Sequence, residues 1–93
     1  MLIEFDTAKD AANLAKHGIS LAFGARIFDD ADHTFTPTIR EGDEEDRFKL
    51  IGMVDGKLYT LSNSGIHVWR GTVVRFLSVR RSNASEQREY DRN

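Results

Sequence analysis

Four arginines, Arg70, Arg75, Arg80 and Arg81, stand within residues 67–82, and no carboxylate does. Their neighbours are β-branched and aromatic, so the stretch reads as a strand, a tight Arg70-Gly71 turn and a second, longer strand. A guanidinium buried in an apolar core is costly, so these side chains must point at solvent or at an anion. Arginine's planar fork pairs with phosphate oxygens bidentately and stays charged at every physiological pH. Arg47 and Lys49, in another alternating segment, add two cations that could join the same surface. The alternative is that some arginines only pair with Glu86, Glu89 or Asp91 across a sheet–helix seam, where an exposed pair contributes about 0–1 kcal/mol.

Other groups could complete such a surface. Trp69, the single tryptophan, could stack on an unpaired base, an interaction whose loss typically costs about 1–3 kcal/mol, or pack on the sheet. Tyr90 follows Glu86 by one helical turn, so both could face the arginines, with Tyr90 as proton donor or phosphate contact. The other reading of Tyr90 is that it seals a helix onto the sheet. His17 belongs to the residue type that titrates nearest neutrality. It also stands at a helix C-terminus beside Gly18, where a cation complements the helix dipole, so a dipole or substrate-contact role is favoured over catalysis. His33 and His67 lack partners at metal-ligand spacing, and no glycine loop is built to cradle phosphate, so neither metal nor cofactor is expected.

The elements that must position these groups follow from local signals. Residues 2–5 alternate as a short strand. Asp6 stands at a helix N-cap position, residues 8–17 are rich in helix formers, and Gly18 supplies a left-handed stop. Ser20 is placed to cap a second helix carrying Leu21, Ala25 and Phe28 at helical spacing, and Asp29-Asp30 ends it. Residues 34–36 with Pro37 suit an edge strand, and residues 42–46 form an acidic loop. From Arg47 the period becomes two, with Phe48, Leu50 and Gly52 on one face and Arg47, Lys49, Ile51 and Met53 on the other. Asp55-Gly56 signals a hairpin with a primed turn. Residues 62–65, Ser-Asn-Ser-Gly, imply a bulge or a broken strand. Asn83 with Glu86 resembles a capping box that opens a last helix over residues 84–92. The expected fold is α+β: a single antiparallel sheet of about four strands, two N-terminal helices and one C-terminal helix. With helices on one face, the other is left open for Arg47, Lys49 and Arg75.

Ninety-three residues, about 40% of them apolar, make one domain spanning residues 1–93 with one modest core. No apolar run is long enough to cross a membrane, residues 1–20 lack a signal-peptide pattern, and there is no cysteine, so a cytoplasmic protein is expected. The net charge of −2 conceals an asymmetry: residues 1–46 carry 4 Lys/Arg against 11 Asp/Glu, and residues 47–93 carry 9 against 4. A near-neutral total argues against broad non-specific binding to duplex DNA and suits a local basic site for a few phosphates of a single strand. Nothing reads as a helix-turn-helix with a basic recognition helix.

Several motifs together resemble one family. Phe5-Asp6, Lys9 and residues 13–20, Asn-Leu-Ala-Lys-His-Gly-Ile-Ser, are very similar to the opening of the BrnT toxins. So are Ile27-Phe28-Asp29-Asp30, Arg47-Phe48 before Ile51-Gly52, Trp69-Arg70-Gly71, residues 75–81, and the closing Glu86 and Tyr90. The resemblance covers nearly the whole chain. It departs at residues 61–66, which lie where relatives run straight from one strand into the His-Val-Trp-Arg segment.

The resemblance implies the toxin half of a type II toxin–antitoxin module with a RelE-like ribonuclease fold. Such a toxin cleaves RNA, arrests growth, and is neutralised by a BrnA-like antitoxin that connects the pair to DNA; a heterotetramer with antitoxin is one assembly compatible with this. Cleavage without a metal needs a base for the 2′-hydroxyl, an acid for the leaving 5′-oxygen, and cations for the phosphorane-like transition state. Arg47, Arg75, Arg81, Glu86 and Tyr90 are expected to carry the chemistry, and Lys49, Trp69, Arg70, Arg80 and His17 to hold the RNA. The alternative is a catalytically inactive module of the same fold that only docks an antitoxin or another partner.

Overall fold

The computed structural model describes residues 2–38, 46–68 and 71–92. Trp69, Arg70 and most of the acidic loop lie outside the described residues. The chain order is β1 (Leu2–Glu4), α1 (Thr7–His17), a 3₁₀ turn (Leu21–Phe23), α2 (Gly24–Phe28), β2 (Thr34–Pro37), β3 (Asp46–Val54), β4 (Lys57–Val68), β5 (Gly71–Arg81) and α3 (Ala84–Asp91). Among the described residues, no helix is long and apolar enough to cross a membrane.

Local chemistry sets the ends of these elements. Asp6 caps α1, its Oδ1 accepting from the N–H groups of Ala8 at 2.8 Å and Lys9 at 3.1 Å, and Gly18 ends the helix at φ 71°. Asp55 and Gly56 both take positive φ, 51° and 78°, which matches a primed two-residue turn joining β3 to β4. The segment after Ser20 differs from the expected single helix. It tightens into a 3₁₀ turn before α2 begins, and Ser20 makes no side-chain cap.

The sheet has five strands in the order β1-β5-β4-β3-β2. β2 to β5 form the expected antiparallel meander, but β1 adds to β5 in parallel, with Leu2, Ile3 and Glu4 opposite Val73, Val74 and Arg75. The sheet is therefore mixed rather than purely antiparallel, because the helical excursion carries the chain from one sheet edge to the other before β2 begins. Residues 62–65 do not break the strand. β4 is continuous, and Asn63 and Ser64 are buried with strand neighbours on both sides. The irregularity lies across from them: Ser62 pairs with Ser78 and Asn63 with Phe76, which leaves Leu77 as the extra residue of a bulge in β5.

One face of the sheet carries the core. Leu21 and Ile27 from the helical hairpin pack with Leu50, Val54, Leu61, Phe76 and Val79, and the rings of Phe28 and Phe76 stack 5.9 Å apart. The opposite face is only partly open, because α3 crosses it against β3 and Ile51 on that face is fully buried. The bulge decides which β5 side chains go where. Phe76 and Val79 are three residues apart yet both enter the core, so Arg75 and Arg80, five apart, share the outer face.

Candidate active site

On the outer face the register places cations and hydroxyls in transverse rows: Arg47–Ser64–Arg75, then Lys49–Ser62–Ser78, then Ile51–Thr60–Arg80. Between the first and last rows lies a cavity of about 210 Å³ whose lining includes Arg47, Lys49, Ser62, Leu77 and Arg80. Thr38 closes its outer side, and its N–H donates to the Arg47 carbonyl at 2.8 Å.

α3 supplies the counter-charges. Its N-terminus is a complete capping box: Asn83 accepts from the Glu86 N–H, and Glu86 Oε1 accepts from the Asn83 N–H, each at 2.9 Å. The same carboxylate takes the Arg80 guanidinium in a fork, Nη1 to Oε1 at 2.7 Å and Nη2 to Oε2 at 2.8 Å. Lys49 Nζ lies 2.9 Å from Glu89 and 3.7 Å from Glu86. Burial alone would push the Glu86 carboxyl up, but the Arg80 fork and the Asn83 N–H outweigh it and hold the group down at about 2. Arg80 is shifted upward by the same Glu86 hydrogen bonds. Glu86 thus serves as a fixed anion that orients Arg80.

Arg47, Lys49 and Arg80 converge on the cavity. Arg75 keeps to their face but turns toward the sheet edge, pairing with Glu4 at 2.7 Å beside a different cavity lined by Phe5, Asp6 and Lys9. Arg81 projects to the core face, its guanidinium 5.5 Å from the centre of the Tyr59 ring, because adjacent strand residues point to opposite sides. The structure therefore puts Arg80, not Arg81, with Arg47 and Lys49. Tyr90 does not face the arginines; its hydroxyl donates to Asp30 Oδ2 at 2.7 Å, and that bond raises its pKa to about 12. His17 lines a separate cavity of about 230 Å³ with Lys9, Lys16, Leu77 and Ser78. Among the described residues, no group of three or more His, Asp or Glu comes together to hold a metal ion.

The family model described as the ribonuclease toxin BrnT of type II toxin–antitoxin systems matches residues 5–86. The chain belongs to the BrnT family. Membership makes it a ribonuclease toxin of a type II module, and RNA and an antitoxin are the partners this implies. No curated protein matches the chain. The BrnT match takes in β3, β4, β5 and the start of α3, so every residue lining the cavity, and Glu86 as well, falls inside it.

Two residues that hold the site in place carry no sequence signal of that role. Asn13 bridges α1 to β5: its Nδ2 donates to the Val79 carbonyl at 2.9 Å and the Ile19 carbonyl at 2.8 Å, and its Oδ1 accepts from the Val79 N–H at 3.0 Å. It thereby closes the β5 edge beyond the last residue that β1 covers. Asp30 accepts from the N–H groups of Asp32 and Met53 and from the Tyr90 hydroxyl, tying α2, β3 and α3 together. Asn13 could have been suspected only as a carboxamide in an otherwise alanine-rich helix.

Proposed function

We propose that this BrnT-family toxin is an endoribonuclease that cleaves RNA in the cavity of Arg47, Lys49 and Arg80, without a metal. The observation that carries this reading is the convergence of three cations on one cavity, with Arg80 oriented by a buried carboxylate. Arg47 and Arg80 would bind the scissile phosphate and stabilise the charge that builds on it as the 2′-oxygen attacks, the 2′-hydroxyl proton passing to solvent water because the lining carries no carboxylate or imidazole. Lys49 is the group lining the cavity that can release a proton, since arginine does not, and it takes the acid role toward the leaving 5′-oxygen. Metal-free cleavage is supported by the polar groups of the lining, which are three cations, the Thr38 and Ser62 hydroxyls and the Asn63 carboxamide, with no carboxylate among them. In this reading the toxin works in the cytoplasm, arrests growth, and is silenced by a BrnA-like antitoxin; DNA is reached only through that partner.

The test is cleavage of a labelled single-stranded RNA by purified protein in EDTA, with and without the antitoxin. Cleavage that the antitoxin suppresses is expected. Arg80→Gln should lower the rate by about 10²–10³-fold, the usual effect of removing one oriented donor to a transition-state oxyanion. One observation favours the docking-module alternative: Glu86 and Glu89 already neutralise Arg80 and Lys49, so a phosphate must compete with them. Tight antitoxin binding without cleavage of free or ribosome-bound RNA would support that second reading.

A further inference from the structure

The bulge residue Leu77 lines two cavities at once. On one side lie Arg47, Lys49 and Arg80; on the other, a groove of about 230 Å³ is formed by Lys9, Ala12, Asn13, Lys16 and His17 of α1 with Ser78 of β5. Extruding one residue from the β4–β5 ladder brings a single apolar side chain to the boundary between them.

The polar chemistry of the second groove is one-sided. Asn13 has spent both its donors on the Val79 and Ile19 carbonyls, so it offers an anion no N–H. What remains is Lys9, Lys16, His17 and the Ser78 hydroxyl, with no carboxylate in the lining. Among the described residues, neither lysine ammonium nor the His17 ring has a hydrogen-bond or ion-pair partner. That contrasts with Lys49, Arg75 and Arg80, whose charges are all paired. Four converging donors in a groove suit an anion, and its continuity with the first cavity through Leu77 suits a second phosphate of the same strand.

We propose that the Lys9–Lys16–His17 groove is a second phosphate subsite, which holds the single-stranded RNA one or more nucleotides away from the bond placed in the first cavity. This rests on the assignment of the first cavity to RNA. α1 then has two tasks: Asn13 closes the sheet edge, and the next cationic turn grips the strand that passes over that edge. The groove reads phosphate rather than base, so it adds affinity and register without sequence preference.

The experiment uses the full chain and 2′-fluoro single strands of two and eight nucleotides, which cannot be cleaved by 2′-oxygen attack. Binding is followed by fluorescence anisotropy over a salt series. For the Lys9→Gln/Lys16→Gln protein, affinity for the octanucleotide should fall roughly tenfold at low salt. The slope of log K against log salt should shrink by about 0.7, the contribution of one neutralised phosphate on a single strand. The loss should be smaller for the dinucleotide. Both lysines are exposed, so an unchanged melting temperature is expected and checks the fold. An octanucleotide affinity and slope equal to wild type in the folded double variant overturn the subsite.

Arg80→Gln and Lys49→Gln separate this outcome from failure of the first cavity. If those variants bind both strands like wild type while the lysine pair still matters, the groove stands and the first cavity is misassigned. If wild type binds neither strand, both assignments fall.

Discussion

Arg80 and Glu86 are joined by two nearly parallel hydrogen bonds of 2.7 and 2.8 Å, and the carboxylate side chain of this pair is only 3% exposed. A guanidinium held this way keeps its plane fixed; Nη1 also reaches the Arg81 carbonyl at 3.3 Å, and the side chain lines the cavity. The same carboxylate closes the α3 capping box, so one residue links helix formation to the geometry of the cationic site.

Glu86→Gln should therefore weaken both fold and site. Its carboxyl is depressed in the folded chain, so the stability it supplies is complete above the ordinary glutamate range. That stability drains away as pH falls from about 4.5 toward about 2. Denaturant titrations at pH 7 should show a loss of about 1.5–3 kcal/mol in the variant, the usual worth of hydrogen bonds to a charged group. Between pH 4.5 and 2 the wild-type curve should fall toward that of the variant, because protonation removes the same charge.

Arg80 and Arg81 should separate cleanly. Arg80→Gln is expected to lose cleavage, while Arg81→Gln removes the cation–π contact with Tyr59, worth about 0.5–1 kcal/mol at an exposed site, and a long 3.4 Å hydrogen bond to the Leu58 carbonyl. Single-turnover rates on one RNA compare the two directly; a larger loss in Arg81→Gln would contradict the placement of the cavity.

Tyr90→Phe tests whether the last helix contributes its phenol to chemistry or to packing. The hydroxyl donates to a carboxylate, so its loss should cost about 1.5–3 kcal/mol of stability. Cleavage by the folded variant at a wild-type rate assigns Tyr90 to the α2–α3 seam. Lost cleavage with unchanged stability would return it to the site.

Asn13→Ala should be among the most damaging single changes outside the apolar core. It removes three hydrogen bonds and leaves the Val79 N–H and carbonyl unpaired at the sheet edge, so a loss of about 3 kcal/mol is expected in urea denaturation. Amide hydrogen exchange should quicken most at Val79.

Gly52→Ala probes how closely α2 approaches the sheet. A methyl group at residue 52 would sit 2.6 Å from the Ile27 carbonyl oxygen and 2.8 Å from Ile27 Cγ2, so α2 must move. Overpacking of this kind costs about 1–3 kcal/mol, measurable as a lowered melting temperature.

Much of this molecule was determined by its sequence alone, because the deciding interactions are local. The Asp6 cap, the Gly18 stop, the Asp55-Gly56 turn and the Asn83–Glu86 box each involve residues within a few positions of one another, and each is present. The two-residue period of β3 likewise sorted Phe48 and Leu50 from Arg47 and Lys49. The motifs of residues 5–86 carried the family. Three features depended on tertiary structure. The parallel addition of β1 joins residues some seventy positions apart, and local periodicity is silent on it. Asn13 finds Val79 only after the sheet has formed. The bulge at Leu77 reverses the alternation of β5, so strict parity groups Arg75 with Val79, whereas the folded chain groups it with Arg80. A one-residue slip moves every later side chain to the other face, and only pairing with β4 decides where that slip occurs.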